Sequence, residues 1–335
     1  DLHSFPTRRS SDLLSSVSAP HRAVVFAYSS VGCICLRALL EGGVEVAAVY
    51  THEDDPGEER WFDSVADLAR ARGLAVLTPE RLDGAEEERL RALAPDLIFS
   101  FYYRSLIPER ILRLAPLGAF NMHGSLLPRY RGRACVNWAV LNGETETGVT
   151  LHHMTARADR GRIVDQASVP IGPDDTAHDV FLKLIPLAGT VLRRSLPAIL
   201  AGRAEGVEQD ESRATTFGRR RPSDGLMDWT GSAHALHDLV RAVAPPFPGA
   251  FTFVEGRKLF VWRTRVPEGA DAPCGAAPGT VLRSEPLTVA TGSGPLVVTE
   301  ARWENDGADD EKDGGRGGAV PLLPAGTVLG GVLAR

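Results

Sequence analysis

Cysteine is scarce in this chain: four in 335 residues, at Cys33, Cys35, Cys135 and Cys274, with no C-x-x-C pair. So few thiols exclude a disulfide-stapled scaffold, and reduced cysteines in a reducing compartment are expected. Long apolar runs are missing too. Nothing approaches the ~18 residues that span a bilayer, so a soluble, cytoplasmic protein without membrane insertion is expected. A positive surplus is also lacking: 37 Lys+Arg against 43 Asp+Glu give a net charge of -6. That removes the field that holds most proteins on nucleic acid or anionic lipid, and a nucleic-acid partner is disfavoured.

What remains is an ordinary globular composition, 43% hydrophobic and 24% charged. The length is more than one core usually holds, which predicts about two domains. The opening DLHSFPTRRSSDLLSSVSAP, residues 1–20, carries charge and serine but no apolar h-region, so it does not read as a secretory signal. It resembles a translated synthetic adapter, with a native disordered tail as the alternative, and is set apart from the fold. The divisions expected after it are residues 21–203 and 204–335.

The run RAVVFAY at 22–28 followed by Gly32 and the apolar positions Leu36, Leu39 and Leu40 reads as strand, turn and helix. Further buried-strand runs stand at 46–50, 75–77, 97–101 and 119–122, with helical patterns at 62–72 and 86–93 between them. This alternation predicts an α/β fold, a Rossmann-like, mostly parallel sheet covered by helices on both faces. Residues 149–154 and 163–169 read as strands added at one side of the sheet, separated by the charged loop 156–162. A long helix is predicted over 177–200, kinked at Pro186 by the missing hydrogen bond. Beyond Gly202 a helix over 233–243 and short strands at 251–254, 258–262, 279–282, 287–290 and 296–298 predict a smaller β-rich, OB-like barrel. The acidic, glycine-rich stretch 305–318 reads as a loop.

The segment AFNMHGSLLPRYRGR, residues 119–133, carries the chemistry. In a strand ending at His123, the period of two puts Asn121 and His123 on one side, at the carboxyl edge where open α/β sheets bind ligands. A lone histidine at a strand end is usually structural. An amide donor beside it changes that, because the pair suits the oxyanion of an acyl-transfer step. Such an imidazole needs an orienting carboxylate, and Asp159 is the leading candidate, although spacing alone does not bring it to His123. His152 and His153 fall on alternating faces without acidic or cysteine partners at ligand spacing, so no metal is assigned. Gly32 opens a helix without completing G-x-G-x-x-G, so a dinucleotide site has little support.

Three segments, residues 120–132, NGETETGVTL at 142–151 and ADRG at 158–161, resemble the folate-dependent formyltransferase family from about residue 22 to 303. The resemblance implies that Asn121, His123 and Asp159 are catalytic and that 10-formyltetrahydrofolate donates a formyl group to a primary amine. It further implies donor contacts at Ser105, Leu106 and Ile107, at Arg133, and along Thr155, Ala156, Arg157, Ala158 and Asp159. The local words YTHEDDPGE at 50–58, FSFYYR at 99–104, FGRR at 217–220 and LVRAVA at 239–244 resemble the polymyxin-resistance branch of that family. Its acceptor is UDP-4-amino-4-deoxy-L-arabinose, a sugar of lipid A modification. Members of that branch are bifunctional, and these 335 residues leave room for the formylation half alone. Another nucleotide-linked amino sugar, methionyl-tRNA, and a non-catalytic folate-binding module are the alternatives. A tRNA partner would call for a basic insertion after the second strand, where residues 52–59 are short and acidic.

Other features stay open at this level. Tyr102 and Tyr103 could stack a pterin or a uracil, or serve as packing. Arg219 and Arg220 could pair with a sugar-nucleotide diphosphate, or form a solvated basic turn with Arg221. Cys135 stands where the family commonly has proline, which leaves local geometry there open. The sequence carries no sign of oligomeric state.

Overall fold

The computed structural model describes residues 20–53, 60–270, 274–304 and 320–330. Almost all of the N-terminal tail and the loop at 305–318 therefore lie outside the described residues. The first layer is a seven-stranded sheet. Its strands are β1 (Arg22–Ala27), β2 (Glu45–Tyr50), β3 (Val76–Leu77), β4 (Leu97–Phe101), β5 (Ala119–His123) and, past the short β6 (Arg131–Gly132), β7 (Glu146–His153) and β8 (Ile163–Pro170). The order is β3-β2-β1-β4-β5-β7-β8. The first five strands run parallel, whereas β7 and β8 join antiparallel. Strand β4 is buried along its whole length and β1 at all but its first residue, as central parallel strands covered on both faces must be. Edge strand β8 has no fully buried position.

The helices are α1 (Ser29–Glu41), α2 (Val65–Ala71), α3 (Gly84–Ala92), α4 (Glu109–Leu112), α5 (Cys135–Leu141), α6 (Ala177–Leu200) and α7 (Ala233–Val243). Polar caps set several starts. Ser64 accepts from the Asp67 amide, which begins α2 three residues after the expected helical run, and Asp83 caps α3. Thr176 and Asp179 make a reciprocal capping box for α6. The kink expected at Pro186 does not divide α6, which continues through Pro186 and Pro197. Both prolines face solvent, so each ring avoids the core and water can satisfy the carbonyls released from the ladder.

Beyond the short β9 (Thr216–Phe217), strands β10 (Ala250–Val254), β11 (Arg257–Arg265), β12 (Val281–Ser284), β13 (Leu287–Ala290) and β14 (Pro295–Trp303) form an antiparallel sheet ordered β10-β11-β14-β13-β12. Its edges are joined by the segment around Leu329, which bridges Val254 while its neighbour Val328 bridges Thr280. Closure of this kind removes the free strand edges, as the barrel expectation required. Helix α7 lies between barrel and first domain, packing on β11 and α5.

Pro186→Ala restores one helical hydrogen bond at an exposed site without opening a cavity. It is expected to stabilise the protein by about 1–3 kcal/mol, seen as a raised Tm. A lowered Tm would show that the ring makes a needed contact.

Candidate active site

Strand β5 ends at the carboxyl edge of the sheet and hands the chain to the loop that contains β6. In the β5–β7 pairing Asn121 lies directly opposite His152, and His123 opposite Thr150. Opposed residues share a face, so amide, two imidazoles and hydroxyl project together. His123 is 7% exposed and His152 is 1% exposed.

The hydrogen bonds fix what each group offers. His123 Nε2 lies 2.8 Å from the Tyr130 carbonyl oxygen, which can only accept, so this nitrogen donates. His123 Nδ1 faces Asp159 Oδ1 at 3.5 Å, an ion-pair distance rather than a made hydrogen bond. A proton on Nδ1 would therefore have a carboxylate to meet. The other Asp159 oxygen, Oδ2, accepts the Gly132 N–H at 2.9 Å. His152 Nε2 stands 3.7 Å from Asp159 Oδ1 and 3.0 Å from Asn121 Nδ2. Burial holds the His152 ring well below the ordinary histidine pKa, against the opposing pull of Asp159.

Asp159 adopts φ 57°, a left-handed conformation that costs a non-glycine residue energy and must be held by its surroundings. The holder is a polar clamp. Gln209 Nε2 donates to the carbonyls of Asp159 and Gly161 at 2.9 and 2.7 Å, while its Oε1 accepts from Arg131 Nε and Nη2. Arg131, 2% exposed, also pairs with Glu211 at 2.6 Å. Two glycines make the turn possible. A Cβ at Gly161 would collide with the His153 carbonyl, and one at Gly132, where φ is 97°, with the Phe217 carbonyl. Tyr102 and Tyr130 are left-handed as well, at φ 59° and 58°.

The remaining residues singled out in the sequence distribute around this cluster. Ser105 and Leu106 are exposed beyond β4, Leu106 at 66%, whereas Ile107 is buried in the core, which leaves only its backbone for a ligand. Thr155, Ala156, Arg157 and Ala158 form an exposed turn in which Thr155 Oγ1 donates to the Arg157 carbonyl at 2.8 Å. Arg133 donates to the Arg104 carbonyl at 3.1 Å, tying the β6 loop to the loop after β4. The Tyr102 hydroxyl is buried without a hydrogen-bond partner, lodged against Gly124. Tyr103 stacks on His52 with centroids 4.3 Å apart. Arg219 is exposed; Arg220 lies over the Trp138 ring at 4.8 Å, with its Nε buried and unpartnered.

Sequence reasoning missed His152, Gln209 and Arg131 as parts of this assembly. For His152 the one available signal was strand phase, which places it with Asn121 only once β5 and β7 are paired. Cys135 is buried, and burial pushes its thiol up to about 12, far from a reactive thiolate. Among the described residues no group of three His, Cys, Asp or Glu side chains is arranged to hold a metal ion, and no helix is long and apolar enough to cross a membrane. A cavity of about 240 Å³ lies apart from these residues, against α7 and β11. Its Arg241 and Arg263 are already paired with Asp238 and Glu300.

An α/β domain that gathers an amide, imidazoles and a carboxylate at its carboxyl edge, with a small barrel beyond, has the build of a group-transfer enzyme. The chain belongs to the formyl transferase family, matching it over residues 22–195 and its C-terminal domain over 220–310. Among solved structures it is similar to an N-formyltransferase from Helicobacter canadensis in complex with folinic acid and dTDP-3-aminofucose. The TM-score there is 0.65 at 19% identity, over 83% of this chain and 98% of that one. It is similar too to WlaRD, a sugar 3N-formyl transferase in the presence of dTDP and 5-N-formyl-THF, with TM-score 0.65, 18% identity and coverage of 86% and 99%. HypX from Aquifex aeolicus in complex with tetrahydrofolic acid shares the fold at TM-score 0.57 and 20% identity, over 85% of this chain and 45% of that larger one.

Two outcomes follow from this geometry. Gln209→Ala would strip an acceptor from buried Arg131 and donors from two carbonyls, so a loss of about 1–3 kcal/mol in urea unfolding is expected. An unchanged midpoint would mean the clamp is idle. Burial lowers the His52 pKa from 6.5 to about 4 and also holds His152 low, so the unfolded chain binds more protons than the fold across that window. Stability from these rings is complete above about pH 6.5 and declines as pH falls toward 4. Urea midpoints between pH 7.5 and 4.5 should fall less steeply in His52→Gln/His152→Gln than in the parent protein. Equal slopes would show that these rings bind protons alike in the folded and unfolded chain.

Proposed function

We propose that the chain transfers the formyl group of 10-formyltetrahydrofolate to the 4-amine of UDP-4-amino-4-deoxy-L-arabinose, a step of lipid A modification. The observation that carries the reaction is the convergence of Asn121, His123 and Asp159, with the His123 ring held between the Tyr130 carbonyl and the Asp159 carboxylate. As the neutral amine adds to the formyl carbon, negative charge grows on the formyl oxygen. Asn121 Nδ2–H answers that charge, joined by His123 once its Nδ1 is protonated, since its Nε2–H is held by the Tyr130 carbonyl. His123 Nδ1, the ring nitrogen not bonded to Tyr130, then takes the proton from the attacking nitrogen and returns it to the departing nitrogen, while Asp159, 3.5 Å from Nδ1, favours the charged ring. Once the departing nitrogen has received the proton, its C–N bond to the formyl carbon breaks and the formyl carbonyl re-forms, which leaves tetrahydrofolate and an N-formyl sugar.

The flanks of the cluster suit these substrates. Exposed Ser105 and Leu106, and the exposed turn from Thr155 to Ala158, are assigned to the donor, to which they offer an apolar side chain and backbone groups. In the two sugar N-formyltransferase neighbours, folinic acid and 5-N-formyl-THF accompany dTDP-3-aminofucose or dTDP, which supports a folate donor and a nucleotide-linked sugar acceptor. Tyr102 and Tyr103 at the end of β4, with Arg219 and Arg220 beyond β9, are assigned to that acceptor, the guanidinium groups to its diphosphate. The UDP-pentose itself is favoured by the words at 50–58, 99–104, 217–220 and 239–244.

Purified protein incubated with 10-formyltetrahydrofolate and a panel of UDP- and dTDP-amino sugars plus methionyl-tRNA, read by mass, is expected to formylate the UDP-aminopentose fastest. Product on a dTDP-sugar alone or on the tRNA alone would overturn the acceptor, and donor binding without any product would leave a folate-binding module. Asn121→Ala is expected to lower kcat about 10²–10³-fold with little change in KM. Full turnover by that variant in an assay limited by chemistry rejects the oxyanion role.

A further inference from the structure

An asparagine amide has a donating end and an accepting end of nearly equal size, and only the donating end helps an oxyanion. Something must select it at Asn121. Both nitrogens of the buried His152 ring are committed. Nδ1 lies 2.8 Å from the His153 carbonyl oxygen, which can only accept, so Nδ1 carries the hydrogen. Nε2 is then a lone pair, 3.0 Å from Asn121 Nδ2. Were the amide reversed, its oxygen would confront that lone pair, so the ring discriminates between the two orientations. The NH₂ group has two hydrogens; one is spent on His152 and the other remains for a ligand.

We propose that His152 is a positioning residue: its neutral ring, through the Nε2 lone pair, holds Asn121 with the NH₂ end toward the formyl oxygen. The proposal rests on the reaction assigned above. The titratable groups facing the ring are Asp159, at 3.7 Å from Nε2, His123, whose centroid is 6.5 Å away, and adjacent His153. A proton on Nε2 would turn the lone pair into a donor aimed at Asp159 and set it against the Asn121 amide hydrogens. Burial, which disfavours that charged form, therefore works for the site. His153 has a different duty, since its Nε2 meets the Ala204 carbonyl at 2.7 Å.

The test combines a double-mutant cycle with a direct reading of the tautomer. His152→Leu keeps the bulk and loses the acceptor, and kcat is expected to fall about 10–100-fold, less than the loss of the whole donor, with KM moved by less than about 3-fold. His152→Gln returns a carbonyl oxygen near the Nε2 position and should recover to within about 5-fold of the parent. Because His152 acts through Asn121, Asn121→Ala/His152→Leu should be no slower than Asn121→Ala, within about 2-fold. ¹⁵N resonances of the His152 ring at neutral pH should show hydrogen on Nδ1, with the Nε2 signal moving in Asn121→Ala. The proposal is overturned by parent-like kcat in His152→Leu, by fully multiplicative losses in the double variant, or by hydrogen resting on Nε2. Should His152→Leu not fold, His152→Gln and the resonances still decide. If the parent protein formylates no amine in the panel while the tautomer and its response to Asn121→Ala are as expected, the assigned reaction fails and the His152–Asn121 coupling stands.

Discussion

The register between β5 and β7 is the constraint on which the site depends. Parallel strands build the sheet as far as β5, and then one antiparallel partner is laid against it with Asn121 opposite His152 and His123 opposite Thr150. A slip of one residue would send His152 and Thr150 to the far face, because side chains alternate with a period of two. Thr150 helps hold the phase: its Oγ1 donates to the Ser125 carbonyl at 2.6 Å and accepts from the Leu127 N–H and from Gln166 of β8. The loop leaving His123 is thus anchored to the strand that supplies His152.

A second constraint acts from outside the sheet. The carbonyl that receives His123 Nε2 belongs to Tyr130, and Tyr130 sits in a column of stacked planes. Its ring lies 5.0 Å from Phe217, which lies 5.0 Å from Trp138, with Arg220 above Trp138 and Arg129 beyond Tyr130. Flat groups alternating in this way tolerate little lateral shift, and the cations at both ends gain from the ring faces. Pairing of β6 with β9 ties the same two segments through their backbones. The Arg131–Gln209 clamp does for Asp159 what the column does for Tyr130. Chain far along the sequence, at 209–220, therefore supports both flanks of the His123 ring.

Much of this was legible in the sequence where one segment contains its own cause. Helices α6 and α7 fall at the boundaries that periodicity and the caps at Thr176 and Ser232 dictate, and Asn121 and His123 share a face by strand period alone. Long-range placement was not legible. Nothing in the loop around Asp159 reveals that Gln209, fifty positions later, would force it into a left-handed turn. His152 and His153 look alike as neighbours, yet one meets Asn121 and the other Ala204, and the difference is made entirely by the partner strand. Cys135 at the start of α5 looked like a disturbance where proline is common. It is accommodated as a small buried thiol whose position the helix start already fixes.

The proposed assignment also separates chemistry from recognition. The side chains converging at the end of β5 are short, buried or half-buried and tied to one another, with Asp159 shared by two histidines and a backbone N–H. Such a network is satisfied as a unit, and altering one member strands the others at the cost of a buried unpaired group. The groups assigned to the acceptor stand outside it. Tyr103 stacks on His52 and Arg220 rests on Trp138; both are partly solvated and neither bonds to Asn121, His123 or Asp159. On the proposed assignment, substitution at that periphery would change which amine is presented while leaving the proton path intact. On the same assignment, one core would serve different nucleotide-linked amines, with selectivity set by aromatic faces and guanidinium groups beside the chemistry.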